Sequence, residues 1–144
     1  MSGHSDVEVL ERFPNSVVTN DNLAFYRGLL DRELILLRCT ACETFLPPQT
    51  RSCPRCVSPD TVPVAVDGRG VVFMFTFLHQ GVPAGFSAPH PVVTCDLDGA
   101  PGVRFTSTII DCPREKLRIG LPVELTWIVV AGNPAPVFTP RARG

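Results

Sequence analysis

Residues 39–56 read CTACETFLPPQTRSCPRC and hold two Cys-x-x-Cys pairs, Cys39 with Cys42 and Cys53 with Cys56, separated by ten residues. A Cys-x-x-Cys turn places two thiolates on one side of a tight loop. Two such turns can close a tetrahedral shell of four sulfurs around one Zn²⁺. Four protein sulfurs leave no open coordination position, so the pattern predicts a structural metal site rather than a catalytic one.

Three other uses of these cysteines are open on the spacing alone. Disulfides need an oxidising compartment, and the polar stretch from Met1 to Val9 does not have the pattern of a secretory signal. We therefore expect a cytoplasmic protein. A thioredoxin-like redox pair would account for one Cys-x-x-Cys but not for two. An iron site of rubredoxin type has the same four-sulfur tetrahedron, so zinc is predicted with iron as the alternative.

The composition favours short strands and loops over long helices. The 144 residues include fifteen prolines and eleven glycines, and the formal net charge is −1. Prolines and glycines break a chain into short pieces. The charge argues against a surface built mainly for nucleic acid, which is usually basic. No apolar run has the length that a membrane-spanning helix needs.

Four segments follow from the pattern along the chain. Residues 1–18 are predicted to be a flexible N-terminal arm, and 19–33 an N-terminal helix that Asn20 or Asp21 caps. Residues 34–62 are the predicted zinc ribbon, in which a strand leads into each cysteine turn. Residues 63–144 are predicted to be an OB-fold domain. The fold class is therefore mainly β.

Five strands are predicted in this C-terminal domain, with a helical turn before the last, at 62–66, 71–78, 92–97, 103–110 and 123–130. Short strands with such an insert are typical of a small Greek-key barrel of OB type. Residues 71–78, VVFMFTFL, are apolar at nearly every position. Such a strand is predicted to be buried on both faces or to lie against a partner.

The order of helix, ribbon and barrel resembles the DUF35 family, whose members combine a rubredoxin-like zinc ribbon with an OB fold. The resemblance runs from about residue 20 to residue 140. The stretches that carry it are 25–29 (FYRGL), 37–42 (LRCTAC), 45–48 (FLPP), 53–56 (CPRC), 68–73 (GRGVVF) and 119–124 (IGLPVE).

The resemblance implies a non-catalytic accessory subunit in acyl-CoA metabolism. Family members associate with thiolase-superfamily enzymes, including acyltransferases and the retro-aldolases that shorten steroid side chains, and some are fused to MaoC-type hydratase domains. The expected role is to bind such a partner and to help hold the acyl-CoA. The chain is then either a freestanding subunit or one domain of a fusion.

Seven side chains are predicted to contact the acyl-CoA or the partner: Phe25, Tyr26, Arg38, Arg51, Arg55, His79 and Phe86. The three arginines surround the cysteine turns, where they would meet CoA phosphates or form a solvated surface. The two aromatic residues lie on the N-terminal helix, which either docks on a partner or covers its own domain. His79 and Phe86 lie in an apolar loop rich in glycine and proline.

No catalytic constellation is predicted from the sequence. Cys95 and Cys112 are expected to be buried small hydrophobic residues, since no base lies near them in sequence. His79 and His90 also lack a nearby acid to orient them, and His4 lies in the predicted N-terminal arm. A nucleic-acid-binding module is the alternative function, because ribbons and OB folds both bind nucleic acid elsewhere. The charge and the single lysine, Lys116, count against it.

Overall fold

The computed structural model describes residues 3–48, 50 and 52–142. They form two compact units. The first extends to Val66 and includes Ala131–Pro134, and the second comprises Asp67–Val130 and the residues from Ala135 onward. The predicted fold class is confirmed: the protein is mainly β, with few helices, a cysteine cluster of ribbon type and a nearly closed five-stranded barrel.

The first helix, α1, covers Asp6–Arg12 within the segment predicted as a flexible arm. Its N-cap is Ser5, whose hydroxyl accepts a hydrogen bond from the Glu8 amide. Val9 is completely buried. The sequence prediction missed this helix because seven residues with one buried apolar side chain carry almost no periodic signal. The cap and the burial of Val9 order a segment that was expected to be loose.

The second helix, α2, covers Leu23–Leu30, inside the predicted range of 19–33. The N-cap is Asn22, rather than Asn20 or Asp21. The Asn22 side chain accepts from the Thr19 amide and donates to the Val17 carbonyl, so it fixes the turn that leads into the helix. Arg27 joins α2 to the segment before it by donating to the His4 carbonyl and pairing with Asp6.

The ribbon strands form a three-stranded antiparallel sheet in the order β2-β1-β3. These strands are β1 (Ile35–Cys39), β2 (Phe45–Leu46) and β3 (Thr61–Ala65). Strand β3 pairs along the whole of β1, from Ile35 opposite Ala65 to Cys39 opposite Thr61. The prediction that residues 62–66 are the first barrel strand was therefore wrong. Alternation shows that a strand has two faces, but it does not identify the neighbouring strand.

The barrel is a five-stranded sheet in the order β6-β5-β4-β7-β8. Its strands are β4 (Gly70–Leu78), β5 (His90–Leu97), β6 (Arg104–Ser107), β7 (Pro122–Val130) and β8 (Asn133–Pro140). A parallel bridge between Ile109 and Phe138 joins the end of the β6 segment to β8 and nearly closes the sheet. A 3-10 turn at Arg114–Lys116 precedes β7. Strand order, closure and insert are those of an OB fold.

One barrel strand was missed by the prediction, and another departs from one of its two predicted alternatives. Strand β8 was not predicted, because Pro134, Pro136 and Pro140 normally count against a strand. Strand β4 was predicted to be buried on both faces or to lie against a partner, and its register with β5 shifts between Val72 and Met74. At this bulge Phe73 and Met74 are 40% and 53% exposed. The strand thus has an inner face and an exposed apolar outer face.

The barrel core consists of side chains that are almost completely buried, including Val72, Val93, Cys95, Val123 and Phe138. A β-carbon added at Gly70 would lie 2.1 Å from the Asp96 carbonyl oxygen, so the β4–β5 pair requires glycine there. Among the residues that the structure describes, no helix is long and apolar enough to cross a membrane.

Candidate metal centre

The four predicted ligands, Cys39, Cys42, Cys53 and Cys56, come together in the first unit. Their Sγ atoms all lie within 4.8 Å of one another. The Cys39 and Cys56 sulfurs are 3.5 Å apart, and those of Cys42 and Cys53 are 3.6 Å apart. A tetrahedral zinc with Zn–S bonds of about 2.3 Å requires sulfurs about 3.8 Å apart. The cluster therefore has the right size for one tetrahedral ion bound by four thiolates.

Both cysteine turns have the same backbone geometry. In the first turn the Cys39 amide donates to Thr44 and the Cys39 carbonyl accepts from Glu43. In the second, the Cys53 amide donates to Ser58 and its carbonyl accepts from Val57. These bonds connect residues at the same spacing, so each pair of cysteines is held by a local turn. This is why the spacing in the sequence was sufficient to find the site.

The residue after each second cysteine adopts a left-handed conformation. Glu43 has φ 63° and Val57 has φ 64°. This region is unfavourable for residues with a β-carbon and most unfavourable for branched ones such as valine. The cost is about 1–2 kcal/mol per residue. Each turn therefore holds a strained residue next to a candidate metal ligand.

Burial and charge differ between the four thiols. Cys39 and Cys53 are buried, Cys42 is half-buried and Cys56 is exposed. Hydrogen bonds from the Thr44 hydroxyl, 3.0 Å from the Cys42 sulfur, and from the Thr44 amide are the main causes that lower the pKa of Cys42 to about 6. The Ser58 amide lowers the pKa of Cys56, but the nearby Cys39 and Cys42 sulfurs outweigh it and bring the value to about 12. Ionisation of one cysteine in the cluster thus opposes ionisation of its neighbours. A bound cation would lower the pKa values of all four thiols and remove this opposition.

The predicted arginines near the ribbon are in different situations. The Arg38 guanidinium pairs with Glu43 at 3.1 Å and lies 5.7 Å from the centre of the Phe45 ring, so its charge is already engaged. Arg55 is exposed between Cys53 and Cys56. Arg51 lies outside the described residues. Arg38 is thus less available for a phosphate than the sequence prediction supposed.

The two aromatic residues predicted on the helix belong to a cluster in their own unit. The Tyr26 ring lies 5.3 Å from that of Phe25 and 5.1 Å from that of Phe13. Phe25 and Tyr26 are both half-buried. Part of their surface is therefore used within the unit, and part is left for other contacts.

The loop after β4 separates the two remaining predicted contacts. His79 is exposed at the end of the strand, whereas Phe86 is half-buried, with its ring 4.7 Å from the ring of His90. His90 is only 5% exposed. Sequence reasoning overlooked His90 as the residue that holds Phe86. Its position just before the predicted strand at 92–97 was the available signal.

The two cysteines outside the ribbon are kept as neutral thiols. Burial, and to a lesser degree the charge of Asp96, raise the pKa of Cys95 to about 12. Burial and then the charge of Glu115 raise the pKa of Cys112. Thiol nucleophiles react as thiolates. Neither residue therefore has the character of a catalytic cysteine.

Known proteins are similar to this chain in sequence. Residues 63–128 match the family model described as "ChsH2, C-terminal OB-fold domain". A DUF35 domain-containing scaffold protein of Methanocaldococcus jannaschii is 32% identical over 95 residues, which cover 65% of this chain and 67% of the relative. A probable enoyl-CoA hydratase alpha subunit of Thermomonospora curvata is 30% identical over 128 residues. That match covers 88% of this chain but only 40% of the relative's length.

Solved structures show the same architecture. A chain of the "Ltp2-ChsH2(DUF35) aldolase" has a TM-score of 0.78 and 28% identity, over 88% of this chain and 98% of that one. A DUF35 protein of unknown function from Sulfolobus solfataricus has a TM-score of 0.55 and 16% identity, over 83% and 86% of the two chains, and it supports the fold alone. Fold and site define a protein with a four-cysteine ribbon joined to an OB barrel. The chain belongs to the DUF35 family.

Proposed function

We propose that this protein is a non-catalytic accessory subunit that binds an acyl-CoA-processing enzyme of the thiolase superfamily. It would help to hold the acyl-CoA while the partner supplies the reacting groups. The match to a chain of the Ltp2-ChsH2(DUF35) aldolase carries this proposal, since it extends over 98% of that chain. The relative named as a scaffold protein supports the non-catalytic part of the role.

The metal's proposed role is to stabilise the first unit. The buried cluster around the site contains Leu37, Leu46, Cys39 and Cys53, with Cys42 packed against it. Two leucines make a small core, and small modules of this kind usually depend on a metal. Zinc binding in comparable modules contributes about 10–16 kcal/mol of apparent free energy. We propose zinc as the resident ion; the four sulfurs would suit iron as well.

The accessory role would raise the partner's efficiency through orientation. Docking would exclude water from the thioester and fix its position, which lowers a barrier without adding a catalytic group. The exposed Phe73 and Met74 on β4 and the half-buried Phe86 offer apolar contacts for such docking. Retro-aldol cleavage is the proposed partner reaction, because the structurally similar chain belongs to an aldolase.

The experiment is reconstitution with the thiolase-like enzyme recovered with this protein from its native lysate. We expect the two chains to co-elute in size-exclusion chromatography and the mixture to cleave an acyl-CoA substrate much faster than either chain alone. The metal-free variant Cys39→Ser should lose this stimulation, whereas Cys112→Ser should keep it. A purified chain that turns over thioesters by itself at the rate of the mixture would refute the proposal.

A MaoC-type hydratase is the second candidate partner. The observation in its favour is the relative named as a probable enoyl-CoA hydratase alpha subunit, in which the matched part is less than half of the protein. The same co-elution experiment distinguishes the two, because hydratase activity in the recovered complex would identify this partner. Tight, salt-sensitive retention of single-stranded nucleic acid would instead support the alternative function.

A further inference from the structure

Strand β4 has one paired edge and one open edge over its second half. On one side, β5 pairs with β4 as far as Leu78, which lies opposite His90. On the other side, β7 pairs only with Gly70 and Val71. Among the described residues, no backbone hydrogen bond joins 73–78 to any segment other than β5. Every second residue of this stretch therefore directs its N–H and C=O groups away from β5, toward an open edge.

The open edge lacks the features that usually protect an edge strand. Protected edges carry charged side chains or prolines, which block pairing with another strand. Strand β3 has Pro63 and strand β6 has Arg104, but residues 71–78, VVFMFTFL, contain neither a charge nor a proline. The bulge at Phe73 precedes the open stretch, and from 74 to 78 the register with β5 is regular. Residues 74–78 thus form a regular edge that can accept another strand.

The chemistry of this edge specifies its occupant more closely than an apolar face would. Backbone N–H and C=O groups in a row are matched by another extended strand, which continues the sheet. A second copy of β4 meets the edge without electrostatic cost, because 71–78 has no charge that would face a like charge in the copy.

Alternation along 74–78 gives the stretch two distinct faces and limits how two copies can pair. Phe75 lies opposite Val93, which is completely buried, so Phe75 is on the inner face together with Phe77. Thr76, between them, is exposed on the outer face. A twofold axis perpendicular to the sheet keeps equal faces of both copies on the same side. Such an axis must lie level with a residue rather than between two residues.

We propose that two copies of this protein pair through β4 as antiparallel strands, with Thr76 at the twofold axis. In this register Phe75 lies opposite Phe77 of the second copy, and Met74 lies opposite Leu78 of the second copy. The two Thr76 side chains face each other on the outer face. Aromatic pairs and threonine pairs are among the favourable cross-strand pairs. The pairing needs no other chain and does not depend on the proposed function.

Sedimentation velocity of the full chain tests the pairing. We expect a monomer–dimer equilibrium over about 1–500 µM. Thr76→Lys, at an exposed position, places two like charges opposite each other and should raise the dimer dissociation constant at least about tenfold. The control Val129→Lys adds the same charge at a 65% exposed position of β7 and should change that constant less than about twofold. Equal melting temperatures show that the variants are folded.

Disulfide trapping tests the register. Oxidation with copper phenanthroline should link Thr76→Cys to its copy, because residues directly opposite have β-carbons about 4.5–5.5 Å apart. Met74→Cys is the matched control, since its copy would lie four residues away along the strands, about 13 Å. Linkage is scored above that of the unaltered chain, which has the same native cysteines, and Met74→Cys should show none.

Three results would overturn the proposal. The first is an unaltered chain that stays monomeric at about 500 µM. The second is a dimer that Val129→Lys weakens as much as Thr76→Lys, and the third is equal linkage of Met74→Cys and Thr76→Cys. Protection of β4 from hydrogen exchange only in the complex with the partner enzyme would assign the edge to a strand of that enzyme and refute self-pairing. Co-elution with that enzyme tests the proposed function separately.

Discussion

Gly28 lies inside α2, and replacing it with alanine separates local helix preference from packing. Alanine is favoured over glycine in a helix interior by about 1 kcal/mol, so propensity predicts a more stable protein. The structure predicts the opposite. An added β-carbon would lie 2.4 Å from Ile35 Cγ1 and 2.9 Å from the Glu33 carbonyl oxygen. Both distances are too short for a real contact, and the second partner is backbone.

The expected magnitude follows from the two opposing effects. Overfilling a packed interior costs about 1–3 kcal/mol, and a backbone partner places this case toward the upper end. After the gain of about 1 kcal/mol in helix propensity, Gly28→Ala should lower the free energy of unfolding by about 1–2 kcal/mol. Ile35→Ala removes Cγ1, so the two changes together should cost less than their sum by about 1 kcal/mol.

Urea unfolding of the four proteins of this cycle, with hydrogen–deuterium exchange of the peptides that contain α2 and β1, measures both quantities. Gly99→Ala is the matched control, because an added β-carbon there meets no atom closer than 3.4 Å. Its stability should change by less than about 0.5 kcal/mol. The reasoning fails if Gly28→Ala is more stable than the unaltered protein, or if Ile35→Ala does not reduce its cost.

Three further outcomes are expected. Cys53→Ser should abolish metal binding, measured by inductively coupled plasma mass spectrometry, and lower the melting temperature of the first unit. The control Cys112→Ser should retain the metal. Full metal occupancy in Cys53→Ser would contradict the four-sulfur site. Val57→Gly should raise the free energy of unfolding by about 0.5–1 kcal/mol, because it relieves a left-handed valine that is 78% exposed. Glu43→Gly should gain less, since it loses an ion pair, and an equal or larger gain would count against this account. Cys95 keeps its proton to about pH 12 when folded but loses it above about pH 9 when unfolded, so stability should fall with rising pH across this window. Cys95→Ala should remove that part of the pH dependence of the free energy of unfolding, measured by chemical denaturation. An unchanged dependence on pH would show that folding does not raise the pKa of this thiol.

The candidate metal centre was accessible from sequence because its geometry is local. Each Cys-x-x-Cys turn is closed by hydrogen bonds within six residues, from Cys39 to Thr44 and from Cys53 to Ser58. Four sulfurs at this spacing have few other stable uses. The barrel class was accessible for a similar reason, because β5 and β7 alternate and β4 is a nearly unbroken apolar run. The left-handed conformation of Glu43 and Val57 could not be predicted from sequence, because glycine is the usual sign of that conformation and neither residue is glycine.

The strand partners were not accessible, because they depend on distant parts of the chain. Strand β3 has the alternation of a barrel strand but pairs with β1. Strand β8 has three prolines, yet it closes the barrel. Helix α1 depends on the Ser5 cap and on Arg12, which donates to the Asn133 side chain 121 residues further along. A prediction that considers only a few consecutive residues at a time cannot detect such contacts.

The parallel bridge between Ile109 and Phe138 also constrains the order of assembly during translation. The ribbon strands span residues 35–65, so a nascent chain can pair them and bring the four cysteines together before the ribosome has made the end of the barrel. The sheet can close only after Phe138 has emerged. Until then the edges of β6 and β7 are unpaired and open to misassociation. Synthesis is therefore the stage at which this fold most needs protection by a chaperone or an early partner.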